Sequence, residues 1–365
     1  MGKVAFFLPS LAGGGAERVC INLAEGFLRH GLEVDFVLAR KTGALVKDVP
    51  PEAGVVDLSV RRTINALLPL AAYLRREKPV ALIAAPDHAN LVAIWAKMLA
   101  SSQTRVLISN HISLSYAIRN TGKVQEKLYP FLLHLFYHQA AALVSVSRGA
   151  ADDMARIARI PRERIRVIYN SFPLDEIARL AATATGHPWF APGEPPVILA
   201  AGRLTAQKDY PTLMRAFASL RKNRPAHLVI LGEGEEHPRL LVLATELGIH
   251  ADVDLPGFLN NPYPLLAHCQ VFVLSSAWEG FGNVLVEALA CGIQVVSTDC
   301  PSGPAEILEG GKYGRLVPVG DAVAMAEAIE ASLDQPFPVE TLRQRAQVFS
   351  GKEAVGQYLE ALGIN

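Results

Sequence analysis

Two glutamates in the second half of the chain lie eight residues apart, in a setting that suggests ligand binding. Glu279 precedes a Gly-Phe-Gly loop at 280–282, and Glu287 interrupts the apolar helical run 284–290. A carboxylate among apolar residues needs hydrogen-bond partners, and a pair of ligand hydroxyls would supply them. The glycine loop can present backbone N–H groups and a helix N-terminus to an anion. The pattern therefore predicts a site for a ligand that carries hydroxyls and phosphate.

Two cations follow the apolar run 197–201, which predicts a buried strand. Arg203 and Lys208 stand five residues apart, and such a pair at the ligand end of a parallel sheet suits a diphosphate. Two solvated surface cations would show the same spacing, so both interpretations stay open. Gly202 and Gly232 would bring backbone close to whatever occupies this edge, although a structural turn explains them equally well. There is no Walker A motif, which excludes a P-loop kinase.

The N-terminal half offers a glycine run and a histidine at comparable positions. The run at 13–15 follows the first predicted strand and opens a helix, so its backbone can approach a ligand; a plain tight turn is the alternative. Ala16 and Arg18 stand where the G-x-G-x-x-G fingerprint of NAD-binding proteins needs glycines, so that fingerprint fails. His111 follows another predicted strand and would face the ligand side of the sheet, although a lone histidine is more often structural.

Short Val/Ile/Leu-rich runs alternate with helical stretches along the whole chain. Such runs indicate strands that are buried on both faces, and the alternation predicts doubly wound parallel sheets. The predicted strands are 4–8, 34–38, 80–84, 106–108, 142–146, 167–168, 197–201, 228–231, 271–274, 295–296 and 316–317. Four prolines within 188–196 break the pattern. We therefore predict an α/β fold of two Rossmann-like domains that face a cleft, 1–170 and 197–337, joined by a linker at 171–196.

Composition excludes several classes of protein. Half of the 365 residues are apolar and 19% are charged, which excludes a disordered chain, and the zero net charge argues against a nucleic-acid partner. Residues 1–170 hold 22 Lys/Arg against 13 Asp/Glu, whereas the remainder holds 13 against 22. The basic half suggests an anionic membrane or a phosphate-bearing acceptor, with chance surface composition as an equal alternative. The candidate membrane contacts are Arg61, Arg62, Arg75, Arg76, Lys78, Lys123 and Lys127.

Cysteine usage and hydropathy bear on the compartment. The four cysteines form no C-x-x-C motif and are too few to cross-link a chain of this length, which indicates reduced thiols. The apolar start of the chain is too short for a signal peptide, and no apolar stretch reaches 18 residues without polar or charged side chains. We expect a cytoplasmic protein without a membrane-spanning helix, located at the inner face of the membrane if the basic half docks there.

With these motifs the chain resembles the glycosyltransferases of family 4, which are retaining transferases of the GT-B fold. The resemblance covers essentially the whole chain, and its most specific part is the E-x7-E pattern from Glu279 to Glu287. It implies that a hexose or N-acetylhexosamine moves from a nucleotide-diphosphate sugar, a UDP-sugar by family-level expectation, to a glycan or polyprenyl-linked acceptor. The product would belong to a surface polysaccharide or glycolipid. The nucleotide sugar is a co-substrate, and neither a metal nor another cofactor is implied.

The resemblance also assigns roles to residues. The catalytic residues would be His111 beside the transferred sugar, Arg203 and Lys208 on the diphosphate, and Glu279 on the donor sugar. Glu287 would bind the ribose hydroxyls. The donor-binding residues would be Gly14, Gly15, Gly202, Gly232, Phe258, Gly280, Phe281, Gly282, Asn283, Val284 and Glu287. The C-terminal segment 338–365 would pack back onto the first domain.

The chemistry of the leaving group shapes the predicted mechanism. Cations and a helix N-terminus can stabilise a departing nucleoside diphosphate without a metal, and no carboxylate is an evident nucleophile, so front-face attack is our hypothesis. Residues 252–254 match the Asp-x-Asp letters of a metal site but have the pattern of an ordinary strand start. Three alternatives remain: an NAD-dependent Rossmann oxidoreductase, for which Glu33 or Asp35 would be the acid, a non-catalytic sugar-nucleotide-binding protein, and a GT-B epimerase or phosphorylase.

Overall fold

A computed structural model describes residues 2–119 and 123–364, except for the side chains of residues 87, 88, 123–127 and 352. The chain divides into two compact units. The N-unit comprises Met1–Phe172 and Ser350–Asn365, and the C-unit comprises Pro173–Phe349. Each unit is built on one parallel sheet, which confirms the predicted α/β class.

The N-unit alternates strands and helices from its first residues. Its strands are β1 (Lys3–Leu8), β2 (Glu33–Leu38), β3 (Gly54–Asp57), β4 (Ala81–Ala84), β5 (Arg105–Asn110), β6 (Ala142–Ser145) and β7 (Ile165–Val167). Its helices are α1 (Gly15–Arg29), α2 (Leu67–Glu77), α3 (Asp87–Ala100), α4 (Leu114–Arg119), α5 (Lys123–Phe136) and α6 (Arg148–Ala158). Short 3₁₀ helices are Ala44–Asp48, Thr63–Ala66, Tyr137–Gln139 and Arg162–Arg164. The seven strands pair in parallel in the order β3-β2-β1-β4-β5-β6-β7.

The C-unit repeats this architecture with one strand fewer. Its strands are β8 (Val197–Ala201), β9 (His227–Leu231), β10 (Val253–Gly257), β11 (Val271–Leu274), β12 (Gln294–Thr298) and β13 (Arg315–Val317). Its helices are α7 (Leu174–Ala181), α8 (Tyr210–Arg221), α9 (His237–Glu246), α10 (Tyr263–His268), α11 (Asn283–Cys291), α12 (Pro304–Ile307), α13 (Ala322–Asp334) and α14 (Val339–Gln347). Short 3₁₀ helices are Pro188–Phe190, Ala206–Lys208, His250–Asp252 and Glu309–Gly311. The strand order is β10-β9-β8-β11-β12-β13, again parallel. The chain then returns to the N-unit as α15 (Gly351–Leu362).

Each sheet is buried on both faces, and the central strands show how the sequence achieves this. Val106 and Ile108 of β5 belong to one apolar core of the N-unit, while Leu107 between them belongs to the other. Tyr358 and Leu362 of α15 are members of the same core as Leu107. Because successive side chains of a strand point to opposite faces, Ser109 of β5 lies on the face that α15 covers.

The observed boundaries differ from the predicted ones at three places. Strand β3 was not predicted, because its run Gly54–Asp57 is short and only half-buried. The predicted linker 171–196 joins the C-unit from Pro173 onward and contains α7, which buries Ile177 and packs on α10 and α11. The predicted crossing at 338 begins instead at Ser350, because α14 packs on α11 and stays with the C-unit.

Candidate active site

The candidate site of the C-unit lies where the strand order reverses. β8 and β11 are neighbours in the sheet, and their following connections leave in opposite directions along it. Ligands of open parallel sheets bind beyond the carboxyl ends of the strands at such a switch point. The segments that follow these two strands, 202–209 and 275–282, contain seven of the fifteen predicted site residues: Gly202, Arg203, Lys208, Glu279, Gly280, Phe281 and Gly282.

An ion pair joins the two segments. Lys208 Nζ donates a hydrogen bond of 2.6 Å to Glu279 Oε1, and the exposed fractions of the two side chains are 15% and 10%. Ser276 Oγ donates to the same oxygen over 2.7 Å. Two donors on a buried carboxylate compensate for its lost hydration. Both use Oε1, so in the described part of the chain Oε2 keeps its lone pairs for a ligand.

Backbone and side-chain hydrogen bonds hold the two segments together around this ion pair. Ala277 N donates to Gln207 O over 2.8 Å, and Gln207 Nε2 donates to Trp278 O over 2.9 Å. Ser275 Oγ donates to Lys208 O over 2.6 Å. Lys208 and Glu279 are therefore held at both the main chain and the side chain, which is the preorganisation that an electrostatic site needs.

Gly232 allows the loops after β8 and β9 to approach each other, and Gly202 leaves room within the loop after β8. A Cβ at Gly232 (φ +133°) would stand 2.0 Å from the carbonyl oxygen of Gly202. A Cβ at Gly202 would stand 2.9 Å from Lys208 Cε and 3.1 Å from the hydroxyl of Tyr210. The glycines predicted to bind the donor are thus required first by the fold, and their contact with a donor stays a prediction.

The Gly-Phe-Gly loop leads into the N-terminus of α11. Gly282 is the N-cap in the left-handed region (φ +99°), and Asn283 and Val284 begin the helix as half-buried residues. Phe281 is buried and packs edge-on against Phe349, with ring centroids 5.6 Å apart. Gly280 completes the loop and is buried as well. The packing of Phe281 fixes the loop, and the first amides of α11 can meet an anion there.

The surroundings of Glu287 differ from those that the sequence predicts. The sequence predicts a buried carboxylate, whereas the structure leaves Glu287 half-buried on the face of α11 that also carries Asn283 and Val284. Tyr263 donates its hydroxyl to Glu287 Oε1 at 3.4 Å. The more deeply buried carboxylate of the E-x7-E pattern is therefore Glu279, while Glu287 remains partly exposed on α11.

Two further predicted residues, Arg203 and Phe258, are exposed. Arg203 makes no ion pair with any residue that the structure describes, so its guanidinium is free to move toward a phosphate. Phe258 directly follows β10 and Gly257, whose carbonyl accepts a hydrogen bond from Gly232 N over 2.8 Å. Their roles on the diphosphate and the base stay predictions.

The N-unit places its predicted residues after β1 and β5. Gly14 is the N-cap of α1, and Gly15 is its exposed first residue. A Cβ on Gly14 would stand 2.3 Å from Glu17 Oε2, so the nearest group is the end of a flexible side chain. Gly14 lies at a helix N-terminus, where backbone N–H groups can meet an anion, and its contact with a donor phosphate stays a prediction.

His111 lies directly after β5 and contacts a pair of hydroxyl groups that the sequence does not predict. Its Nε2 lies 2.8 Å from Ser109 Oγ, which in turn lies 2.9 Å from the hydroxyl of Tyr358 on α15. Nδ1 is buried and has no hydrogen-bond partner within residues 2–119 and 123–364. Burial lowers the pKa of His111 from 6.5 to about 4, so the imidazole is neutral at pH 7.

Other supporting residues were also missed by sequence reasoning. Tyr210 is buried beside Gly202, and burial together with the charge of Glu279 raises the pKa of its phenol. Ser276 could have been found, because it is one of two serines that directly follow the apolar run of β11. Tyr358 could not, because it lies 249 residues from Ser109 in the sequence.

The described residues contain no group of three or more His, Cys, Asp or Glu side chains that could hold a metal ion. Both carboxylates of the Asp-x-Asp sequence pair with other side chains. Arg221 donates twice to Asp252, at 2.9 and 2.7 Å, and Asp254 lies 2.9 Å from His187. That the reaction needs no metal stays a prediction. In the same ranges, no helix has both the length and the apolar character to cross a bilayer.

Comparison with solved structures defines the fold class. A structure of Anabaena Alr3699/HepE in complex with UDP-glucose superposes with a TM-score of 0.79 at 21% identity and covers 100% of both chains. Two α/β units, each built on one parallel sheet, are the architecture of GT-B glycosyltransferases, so the predicted fold is confirmed.

Sequence comparison then identifies the family. Residues 13–176 match the family described as Glycosyltransferase Family 4, and residues 187–348 match Glycosyl transferases group 1. A Campylobacter jejuni N-acetylgalactosamine-N,N'-diacetylbacillosaminyl-diphospho-undecaprenol 4-alpha-N-acetylgalactosaminyltransferase is 31% identical over 92% of this chain and 91% of its own length. The Rhizobium meliloti lipopolysaccharide core biosynthesis glycosyltransferase LpsE is 30% identical over 94% and 92%. The chain belongs to glycosyltransferase family 4 and is a transferase, so the oxidoreductase alternative is set aside.

Proposed function

We propose that the protein transfers a hexose or N-acetylhexosamine from a nucleotide-diphosphate sugar, with retention of configuration, to a lipid-linked or lipopolysaccharide-core glycan. The observation that carries the proposal is the buried Lys208–Glu279–Ser276 cluster at the switch point of the C-unit. A fixed cation beside a carboxylate fits a ligand in which a diphosphate adjoins a sugar.

The cations would stabilise the leaving group. An ammonium has three N–H donors, and Lys208 uses one of them for Glu279. It can therefore donate to a phosphate oxygen at the same time. Arg203 would fold from solvent onto the diphosphate, and the N-terminus of α11 would add its amides. These groups oppose the negative charge that develops on the nucleoside diphosphate as the glycosidic bond breaks.

The carboxylates would recognise hydroxyl groups. Glu279 keeps Oε2 for a hydroxyl of the donor sugar, because Lys208 and Ser276 share its other oxygen. Glu287, on the accessible face of α11, would accept from the ribose hydroxyls, and backbone near Phe258 would meet the base. His111 would contact the transferred sugar. We keep front-face attack as the mechanism, and trapping of a covalent glycosyl-enzyme would contradict it.

Relatives suggest the donor base and the acceptor class. The name of the Campylobacter relative states a diphospho-undecaprenol acceptor, that of LpsE states lipopolysaccharide core synthesis, and the Anabaena structure holds UDP-glucose. We therefore propose a UDP-sugar as donor and a polyprenyl-diphosphate-linked or core glycan as acceptor.

A transfer assay tests this function. The enzyme is incubated in EDTA with UDP-, GDP- and ADP-sugars and with either an undecaprenyl-diphosphate oligosaccharide or a truncated lipopolysaccharide core. Mass spectrometry follows the product, and NMR of its anomeric proton gives the configuration. One added hexose with the anomeric configuration of the donor supports the proposal. Binding of a nucleotide sugar without product from any acceptor would favour a non-catalytic binding protein, and an inverted product would contradict retention.

We also propose that the N-unit docks on an anionic bilayer to reach such an acceptor. Leu128, Phe131 and Leu135 follow one face of α5 at helical spacing, and each is about half-exposed, with Phe131 at 59%. Apolar side chains on a basic half of the chain suit the interface of an anionic membrane. Of the candidate cations, Arg76 is exposed and pairs with its neighbour Glu77, whereas the side chains of Lys123 and Lys127 lie outside the described residues.

Liposome flotation tests the docking. The wild type should float with vesicles that contain anionic lipid at low salt and remain at the bottom with neutral vesicles. Phe131→Ser should reduce flotation, whereas Val242→Ser, at an equally exposed position of α9 in the C-unit, should not. Absence of flotation at low salt would remove the proposal, and the assignment of a donor site to the C-unit would be unaffected.

A further inference from the structure

His111 contacts a buried hydroxyl pair whose second member comes from the other end of the chain. Ser109 and Tyr358 are 1% and 2% exposed, and the three polar groups form a line, Nε2–Oγ–OH, with separations of 2.8 and 2.9 Å. Since neither hydroxyl reaches solvent, water cannot replace either partner.

The number of hydroxyl protons and acceptors decides which group donates to which along Tyr358, Ser109 and His111. The Tyr358 hydroxyl has Ser109 Oγ as its hydrogen-bond partner in the described part of the chain. If Tyr358 donates to Ser109, and Ser109 donates to His111 Nε2, every hydroxyl proton is used. The reverse direction would leave two buried groups unpaired, the Tyr358 proton without an acceptor and Nδ1 without a donor, whereas the first direction leaves only the Nδ1 proton unpaired and therefore costs less. The first direction makes Nε2 an acceptor and puts the ring proton on Nδ1.

Nδ1 is the buried ring atom that lacks a partner. A neutral imidazole with its proton on Nδ1 offers one N–H donor there, and a donor suits a sugar hydroxyl or a developing negative charge rather than a proton to be removed. The direction of the hydroxyl line thus decides what His111 can do.

We propose that Ser109 and Tyr358 are positioning residues that hold His111 as the Nδ1–H tautomer, so that it acts on the substrate as a hydrogen-bond donor. The proposal rests on the proposed function in its assumption that His111 contacts the transferred sugar. It also assigns a task to α15: this helix returns to the N-unit with the hydroxyl that sets the tautomer.

Nitrogen NMR of histidine-labelled protein tests the tautomer without any substrate. His111→Gln identifies the resonances by their loss. The proposal predicts that, at pH 7, Nδ1 resonates as a protonated ring nitrogen and Nε2 as an unprotonated one. Tyr358→Phe and Ser109→Ala should move these resonances toward the averaged positions of a histidine that exchanges between tautomers. A protonated Nε2 in the wild type overturns the proposal, whatever its enzymatic activity.

Kinetics then test the consequence. Tyr358→Phe and Ser109→Ala should each lower kcat by about tenfold with a nearly unchanged KM for the donor, because a lost orienting hydrogen bond is worth roughly a factor of ten. Tyr73→Phe is the matched control, since it removes another buried hydroxyl of the N-unit, which donates 2.6 Å to Asp35. Equal kcat values for Tyr358→Phe and Tyr73→Phe would overturn the positioning role. If His111→Gln itself kept full activity while the tautomer matched, the assigned role of His111 would fail instead.

Discussion

The Lys208–Glu279 ion pair allows a quantitative prediction about stability. Glu279→Gln keeps the shape of the side chain but leaves an ammonium that is only 15% exposed beside a neutral amide. Removing one partner of a buried pair costs about 3–5 kcal/mol, and the partial exposure here places the expected loss near the lower end. Lys208→Met should cost a similar amount, because Glu279 would keep Ser276 but lose its cation.

The double variant separates the interaction energy between the two charges from the cost of each single substitution. With both charges absent, no buried charge is left unpaired, so Lys208→Met/Glu279→Gln should cost about 3 kcal/mol instead of the summed 6. The resulting coupling is about 3 kcal/mol. The exposed pair Arg179–Glu176 in the same unit, with an N–O distance of 2.9 Å, is the control and should couple by less than about 1 kcal/mol.

Urea unfolding followed by tryptophan emission measures these free energies. Trp189 and Trp278 lie in the C-unit and Trp95 in the N-unit, so emission reports the C-unit more strongly. Because two units can unfold separately, the transition of the C-unit is fitted by itself. A coupling no larger than that of the control pair would refute the reasoning, since it would mean that the two charges remain hydrated.

Three further predictions follow from the close contacts and pKa shifts. Gly232→Ala places a Cβ 2.0 Å from Gly202 O at φ +133° and should lower the free energy of unfolding by about 2 kcal/mol or more, whereas Gly248→Ala, with φ +68° and open space, should cost about 1 kcal/mol in the same urea titration. For His111, the unfolded imidazole takes up a proton below pH 6.5 and the folded one only near pH 4, so stability falls as the pH drops through this window. The loss at pH 5 should be about 2 kcal/mol, and His111→Gln should abolish this part of the pH dependence. Burial, followed by the charge of Glu279, raises the pKa of the Cys300 thiol to about 12, so the native enzyme should resist a thiol-exchange reagent at pH 8, and rapid labelling of Cys300 would contradict this.

The parts of the molecule that can be predicted are those whose signal lies within one short stretch of the sequence. Short apolar runs separated by helical stretches fixed the class of fold, since strands buried on both faces need such runs. The segment 275–292 predicted an E-x7-E site with its loop and helix, and the structure places Glu279 and Lys208 in contact. β3 was not predicted, because an edge strand buries little apolar surface and its sequence therefore has a weak apolar pattern.

The features that escaped prediction depend on contacts between distant parts of the chain. Glu287 is surrounded by apolar residues in the sequence, yet its side of α11 is accessible, because burial of a helical residue is decided by what packs on that side. α14 remains with the C-unit because of its packing on α11. The contact between Ser109 and Tyr358 exists only because α15 returns to the N-unit. The spacing of residues in the sequence does not predict that contact.

The central claim is that the C-unit binds a nucleotide-diphosphate sugar through Lys208, and a thermal-shift measurement with nucleotide sugars in EDTA tests it most directly. A ligand that binds only the folded protein raises its melting temperature, by an amount equivalent to about 2.7 kcal/mol at a hundred times its Kd. We predict that one UDP- or GDP-sugar raises the melting temperature of the wild type and of Lys222→Ala, an exposed control, but not that of Lys208→Ala. An unchanged shift in Lys208→Ala, or a shift with NAD(P) and with no nucleotide sugar, would contradict the account.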